Sequence, residues 1–305
     1  DPEPYGGPDT LSVTGIAESI TLTNLLVGEV FIVAGQSNAE MSISEVNDTD
    51  DIYAKYSNRS TLRYYFADQV MAVSPRFDDG GSWNNAYSWA IDDSSAIGTF
   101  FVNKLLELNE NLSKVPIGVI RVTYGGSTIE VFLPDSFFAS IGYEQPHEDP
   151  IMSGYWNGFI HTVAPFAAKA VLYYQGENST QLGYAYESLL RGLIASWRSE
   201  FRDPNLPFFL VQLAGYGENY YETDIDSWPI IREIQMRVAN TVPNVAVVTA
   251  VDLGDPDPLE IHPKDKRPIG ERAAYRAMER LYGDSTYREV RSPEMRDWAL
   301  ENGEY

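Results

Sequence analysis

The sequence predicts an α/β fold in which helices cover both faces of a parallel sheet, and three observations carry that prediction. From residue 29 onward, short apolar strands alternate with segments of helical period, which is typical of a doubly wound sheet. Several strands are apolar at consecutive positions, as expected where helices cover both faces. The 305 residues, 44% apolar and 13% aromatic, suffice for one large domain with a substantial core.

The elements follow one another regularly along the chain. Residues 1–28 begin with turn formers and then alternate polar with apolar side chains, which predicts a short β segment, either a hairpin or the stub of a preceding β domain. Residues 29–305 are predicted to form the main domain with a C-terminal tail. Strands are predicted at 29–34, 61–66, 117–123, 170–174, 208–213 and 245–251, and helices at about 95–109, 184–200, 228–241 and 268–282.

Charge narrows the range of partners. The net charge is −22 and the isoelectric point is about 4.4, which argues against nucleic acid as a partner because phosphate binding needs a basic face. An anionic membrane surface is disfavoured for the same reason. No apolar run approaches the roughly 18 residues of a membrane span. The acidic surface, together with four Asn-x-Ser/Thr sequons, favours a secreted or extracellular protein.

Cysteine and histidine usage restricts the chemistry. The chain has no cysteine, so it uses neither disulfides nor thiolate ligands nor cysteine nucleophiles. Its three histidines are too few for a histidine-rich metal centre. We therefore expect no metal and no cofactor.

Polar motifs follow four of the predicted strands, where an α/β sheet binds its ligands. Gly-Gln-Ser-Asn occupies 35–38, a glycine pair occupies 125–126, Gln-Gly-Glu occupies 175–177 and Ile-His-Pro occupies 261–263. Together the strand ends supply a serine, a glycine pair, an amide with a carboxylate, and a histidine.

These residue types meet the needs of acyl transfer. A serine hydroxyl needs a neutral imidazole to take its proton as it attacks a carbonyl, which assigns Ser37 as nucleophile and His262 as general base. The oxyanion that forms needs prearranged donors. The candidates are the backbone N–H groups of Ser37 and Gly126 and the side-chain amide of Gln175.

Each motif alone also has an ordinary structural explanation. Ser37 and the glycine pair at 125–126 are common turn residues, and Gln-Gly-Glu at 175–177 suits a buried polar network without chemistry. His262, followed by a proline, suits a helix cap. Their joint occurrence at strand ends, in one order, favours the catalytic interpretation.

Five blocks make the resemblance to a known family specific. In chain order they resemble the sialate O-acetylesterase-like carbohydrate esterases of the SGNH-hydrolase superfamily, across about residues 28–282. That resemblance implies a three-layer, flavodoxin-like sheet. The blocks are Gly-Gln-Ser-Asn at 35–38, Gly-Gly-Ser-x-Ile-Glu at 125–130, Trp-Asn-Gly-Phe-Ile-His at 156–161, Tyr-Gln-Gly-Glu-Asn at 174–178 and Ile-His-Pro-Lys-Asp-Lys-x-x-x-Gly-Glu-Arg at 261–272.

The resemblance implies the same catalytic roles for Ser37 and His262 and the same oxyanion donors. It adds three residues that bind substrate or support the site, namely Asn38, Glu177 and His161.

The residue that orients the imidazole stays open. The superfamily often has an aspartate three residues before the histidine, where this chain has Leu259. Glu260 is the first candidate, and Asp257, Glu177 or a backbone carbonyl are the alternatives. A backbone carbonyl is chemically acceptable because the orienting group fixes the tautomer and does not take the proton.

The predicted function is a metal-independent serine esterase that removes O-acetyl groups from carbohydrate through an acyl-enzyme. The substrate is then sialate or an acetylated polysaccharide such as xylan. A sialate site needs a cation, for which Arg121 and Arg267 are candidates, whereas the acidity of the chain favours a neutral polysaccharide. Two alternatives remain: a catalytically inactive glycan-binding protein on the same fold, and an esterase for non-carbohydrate acyl esters.

Overall fold

The computed structural model describes residues 4–57, 59–78, 80–144, 151–164, 166–217 and 228–290. The strands are β1 Gly6–Thr14, β2 Ser19–Val27, β3 Glu29–Gly35, β4 Arg59–Phe66, β5 Ser82–Ala86, β6 Ile117–Thr123, β7 Ala170–Tyr174, β8 Phe208–Val211 and β9 Val245–Val248. The helices are α1 Ser37–Glu40, α2 Asp50–Tyr56, α3 Ser88–Asp92, α4 Ala96–Leu108, α5 Asp135–Ile141, α6 His161–Val163, α7 Tyr186–Glu200, α8 Trp228–Thr241 and α9 Arg267–Leu281. Short 3₁₀ segments lie at Ile43–Glu45, Glu110–Lys114, Ile129–Phe132, Glu177–Ala185 and Ser285–Val290, and a π-helical turn lies at Trp156–Ile160.

Seven strands form the main sheet in the order β5-β4-β6-β3-β7-β8-β9. All neighbours are parallel except β5, which pairs antiparallel with β4 at the edge. Strand β5 is not among the predicted strands, because Ser-Trp-Asn-Asn-Ala lacks the apolar alternation of a strand. The predicted strands at 208–213 and 245–251 are real, but they end earlier than expected, at Val211 and Val248.

Helices cover both faces of this sheet. On one face α4 packs on β3 through Phe101 and Phe31, whose ring centroids lie 4.9 Å apart. On the other, α7 packs on β8 through Trp197 and Phe208, with centroids 6.1 Å apart. The register across β3, β7 and β8 puts Phe31 and Phe208 on opposite faces. The predicted three-layer, doubly wound fold is confirmed.

Strand β3 lies at the centre, between β6 and β7. Gly35, its last residue, stands opposite Thr123 of β6 and Tyr174 of β7. Gly35 has φ +134°, and a Cβ there would lie 1.9 Å from the Tyr174 carbonyl oxygen. Only glycine lets the chain turn this close to its neighbour, so the motifs that follow β3, β6 and β7 emerge side by side.

Strands β1 and β2 form an antiparallel hairpin outside the main sheet. The prediction of a short N-terminal β segment is confirmed, and most of its residues are exposed. Its interpretation as the stub of a further domain stays a prediction. In the described part of the chain, none of the helices combines the length and apolarity needed to cross a bilayer.

Candidate active site

The centre of the site is a contact between Ser37 and His262. Helix α1 begins at Ser37, two residues after the end of β3, so the serine side chain stands on a sharp strand-to-helix turn. Its Oγ lies 2.8 Å from Nε2 of His262. This is a hydrogen-bond distance between a potential nucleophile and a potential base.

His262 reaches the serine from a distant strand. Strands β7 and β8 lie between β3 and β9 in the sheet. The segment after β9 must therefore cross the carboxyl ends of β8 and β7 to reach the serine. On the way, Gly217 N–H donates to the Pro258 carbonyl at 2.6 Å. Closer to the serine, Nδ2 of Asn38 donates to the Ile261 carbonyl at 3.0 Å. The residue next to the histidine is therefore tied to the residue next to the serine.

Of the three carboxylates proposed to orient the imidazole, Glu260 contacts it. Glu260 Oε1 lies 3.4 Å from Nδ1 of His262 and accepts the His262 backbone N–H at 2.7 Å. Asp257 instead accepts the N–H of Leu259. Glu177 bonds Asn38 beneath the site. The Glu260 contact is long for a hydrogen bond, and both side chains of the pair are about 40% exposed, at 42% for Glu260 and 39% for His262.

A buried polar network lies below the serine. Asn38 donates from Nδ2 to Glu177 at 2.7 Å, and Nζ of Lys266 donates to Asn38 Oδ1 at 2.6 Å. All three side chains are buried, Lys266 completely. Because the carboxylate accepts and the ammonium donates, only one orientation of the Asn38 amide satisfies both partners.

Burial shifts the pKa values of Lys266 and Glu177 in the directions that favour their neutral forms. Removal from water lowers the pKa of Lys266 to about 7, against the opposing attraction of Glu177. The same cause raises the pKa of Glu177, against the hydrogen bond from Asn38 and the charge of Lys266. Lys266 is not among the predicted site residues; its only sequence signal is its position four residues after His262 in the block at 261–272.

The glycine pair lies beside the nucleophile. A Cβ on Gly125 would come within 4.0 Å of the Ser37 Cβ, and Gly126 has φ +69° with open space around it. Asn178 Nδ2 donates to the Gly126 carbonyl at 2.5 Å and holds the turn. Ser37 is the first residue of α1, and the N–H at that position has no acceptor within a helix. Both backbone groups proposed as oxyanion donors therefore lie on adjoining turns.

Gln175, predicted as a third oxyanion donor, has a side-chain amide that bonds other protein groups. The residue is fully buried, and its Nε2 donates to Ser179 Oγ at 2.8 Å, with Gln36 Oε1 at 3.3 Å. Its Oε1 accepts from the hydroxyl of Tyr186 at 3.0 Å. The hydrogen bonds of this amide connect the end of β7 to Ser179 and Tyr186 in the segments that follow the strand.

His161 is likewise not brought to the serine. Its Nδ1 lies 2.7 Å from Glu200 Oε1 at the end of α7, and the ring packs edge-on against Phe77. Helix α6 leads into the amino end of β7, whereas the site occupies the carboxyl end. Arg267 pairs with Asp51 and covers the Phe100 ring. His147 stands in an acidic stretch of the sequence, Glu-Gln-Pro-His-Glu-Asp at 144–149, which predicts a surface position; it lies outside the described residues.

The chain matches a known family over most of its length. The family described as carbohydrate esterase, sialic acid-specific acetylesterase, matches residues 27–279. This protein belongs to that family. Among curated relatives, the sialate O-acetylesterases of Homo sapiens and Mus musculus are 27% and 24% identical, each over 93% of this chain. The chain spans 60% of the human protein and 63% of the mouse protein.

Solved structures agree with the fold. A carbohydrate acetylesterase from Xanthomonas citri superposes on this chain with a TM-score of 0.80 and 31% identity, covering 92% of this chain and 62% of its own. A protein from Arabidopsis thaliana gives a TM-score of 0.56 at 19% identity, covering 83% and 98%. The latter likeness shows a shared fold alone.

Proposed function

We propose that this carbohydrate-esterase family member is a metal-independent serine esterase that removes O-acetyl groups from carbohydrate through an acetyl-enzyme. The observation that carries the proposal is the 2.8 Å contact between Ser37 Oγ and His262 Nε2. Membership of the carbohydrate esterase family supports it, as does the likeness to an acetylesterase of known structure.

The chemistry follows from the arrangement. His262 Nε2 takes the hydroxyl proton as Ser37 Oγ attacks the acetyl carbonyl. The N–H groups of Ser37 and Gly126 stabilise the oxyanion. His262 then gives this proton to the departing sugar oxygen as its bond to the acetyl carbon breaks, which releases the sugar hydroxyl and leaves an acetyl ester on Ser37. A water molecule, activated by the same imidazole, hydrolyses this ester and restores the serine.

The test compares hydrolysis of p-nitrophenyl acetate and p-nitrophenyl octanoate with EDTA present. We expect preference for the acetate, and a loss of roughly 10⁴-fold or more in kcat for Ser37→Ala and for His262→Ala. Ser188→Ala and His161→Ala are matched controls and should leave turnover unchanged, since exposed Ser188 bonds the Ala185 carbonyl and His161 pairs with Glu200. Turnover that survives Ser37→Ala would contradict the mechanism, whereas an absence of turnover in the unmodified protein would support a glycan-binding protein instead.

We also propose that the protein acts outside the cell. The acidity of the chain supports this, together with the exposed sequon asparagines Asn47 and Asn111. Immunodetection in culture medium and in cells of the source organism tests it, and retention inside intact cells would contradict it.

A further inference from the structure

A groove of about 430 Å³ opens beside the nucleophile turn. Its lining includes Phe66 of β4, Ser82 of β5 and Arg121 of β6. These three strands lie on the opposite side of β3 from β9, the strand that precedes His262. No step of the ester hydrolysis uses the walls of this groove. A concave, partly aromatic surface next to a catalytic serine is where the rest of a substrate would bind.

The groove begins one helical turn from the nucleophile. Glu40, one of its lining residues, follows Ser37 by three positions in α1, so the two side chains share a face of the helix. Gly125 lies between them: a Cβ there would be 3.3 Å from Glu40 Oε2 and 4.0 Å from the Ser37 Cβ. The lining of the groove therefore begins next to the turn that carries the serine.

The walls carry the chemistry of sugar recognition. Trp89 is 48% exposed, and its ring centroid lies 6.1 Å from that of Phe66. A large exposed aromatic ring in a groove is a stacking surface for the C–H face of a sugar. Ser82 and Asn84 of β5 add a hydroxyl and an amide on the same lining.

The charges of the lining disfavour an acidic sugar. Glu40, Glu45 and Asp93 stand against one guanidinium, that of Arg121. Arg121 is already engaged, since it donates to the Asp93 carbonyl at 2.8 Å and covers the Phe66 ring at 5.5 Å. The hydrogen bond from Ser42 N–H holds the pKa of Glu45 below its usual value, so this carboxylate is charged at neutral pH. A sugar carboxylate would enter a site where negative charge predominates.

We propose that this groove binds the sugar units next to the acetylated one in an uncharged oligosaccharide, with Trp89 as the stacking surface. This inference rests on the proposed esterase function and names its substrate class. It selects neutral acetylated polysaccharide over sialate.

The experiment measures KM and kcat for three substrates: acetylated xylo-oligosaccharide, O-acetylated sialic acid and p-nitrophenyl acetate. Trp89→Ala should raise KM for the oligosaccharide about tenfold or more, on the scale of ring stacking elsewhere, and leave p-nitrophenyl acetate turnover unchanged. Trp89→Phe should retain most of the affinity. Phe77→Ala removes an exposed ring outside the groove (91% exposed) and should change neither.

Each failure has its own signature. If the unmodified protein does not hydrolyse p-nitrophenyl acetate, the proposed esterase function itself is overturned. An unchanged oligosaccharide KM in Trp89→Ala, with the small ester still cleaved, would overturn the groove alone. A higher kcat/KM for O-acetylated sialic acid than for the neutral oligosaccharide, lost in Arg121→Gln, would overturn the uncharged substrate class.

A measurement on the unmodified protein removes any dependence on how the variants fold. Xylo-oligosaccharides without acetyl groups should inhibit p-nitrophenyl acetate hydrolysis competitively and more strongly than sialic acid does. Equal inhibition by both, or none by the neutral sugar, would contradict the proposal.

Discussion

The two partners of the catalytic contact are held in opposite ways. Ser37 stands on a tight turn. The residue that follows it, Asn38, is buried and hydrogen-bonded to both Glu177 and Lys266. His262 stands on a loop, half-exposed, beside a carboxylate that is equally exposed. Groups in a buried network have few alternative arrangements, whereas an exposed pair is screened by water and free to move.

The difference indicates where the site obtains its geometry. The hydrogen bond from Asn38 to the Ile261 carbonyl connects the histidine loop to the buried side. The loop thus depends on the network below Ser37 more than on Glu260 beside it. The following variants test that asymmetry in order of decreasing expected effect.

Gly35→Ala should be the most damaging change on the buried side. The new Cβ would meet the Tyr174 carbonyl oxygen at 1.9 Å, with φ at +134°, so β3 must move and several kcal/mol of stability should be lost. Gly126→Ala is the matched control, because its φ is also positive but a Cβ there meets nothing within 4 Å; it should cost only about 1–2 kcal/mol. Urea unfolding measures both, and equal losses would contradict the argument.

Lys266→Met should lower kcat about 100-fold with little change in KM for p-nitrophenyl acetate. Without the Nζ donor, Asn38 Oδ1 loses its partner and Glu177 loses the charge that faces it, so the network below Ser37 shifts, and a displacement of about 1 Å at the reacting groups costs roughly that factor. Lys264→Met, two residues earlier and exposed, should have no effect. A rise in KM with kcat retained, or an unfolded variant, would point to a role outside positioning.

The same lysine should make stability depend on pH. Its pKa is about 7 in the folded protein and near 10.5 in the unfolded chain, so between these values the unfolded state binds more protons. The free energy of unfolding should therefore gain a rising component as the pH increases from 7 towards 10. Glu177, which faces Lys266, contributes in the opposite sense, because its raised pKa costs stability as the pH rises above the usual glutamate range.

Urea unfolding at pH 7 and pH 9 measures this component. The rise should disappear in Lys266→Met and persist in Lys114→Met, which alters an exposed lysine. An identical rise in the unmodified protein and in Lys266→Met would show that other groups cause it.

Glu260→Gln should have the smallest effect, at most about fivefold in kcat/KM. An exposed ion pair contributes about 1 kcal/mol or less, and glutamine keeps an oxygen to accept the His262 N–H. Asp257→Asn, at the alternative carboxylate, should change nothing. A loss of about 10⁴-fold in activity for Glu260→Gln is the size seen where a buried aspartate fixes the histidine tautomer. That result would show that His262 depends on Glu260 more than on the buried network.

The sequence by itself determined the parts of the protein that local pattern controls. Apolar periodicity located the strands at Ile117–Thr123 and Ala170–Tyr174 to the residue. The rule that ligands bind at the carboxyl ends of strands then selected Ser37 and His262. Both signals depend on a few consecutive residues, and the tertiary structure left them unchanged.

Only the tertiary structure decided which side chains face one another. Strand order brings β3 between β6 and β7, and the direction of β7 leaves His161 near the amino end of that strand, away from the site at the carboxyl end. Long-range packing commits the amide of Gln175 to Ser179 and Tyr186, and it buries Lys266 against Asn38 from 228 residues away. A hydrogen bond of that separation leaves no trace in sequence periodicity, because its partners are neighbours only after the sheet has formed.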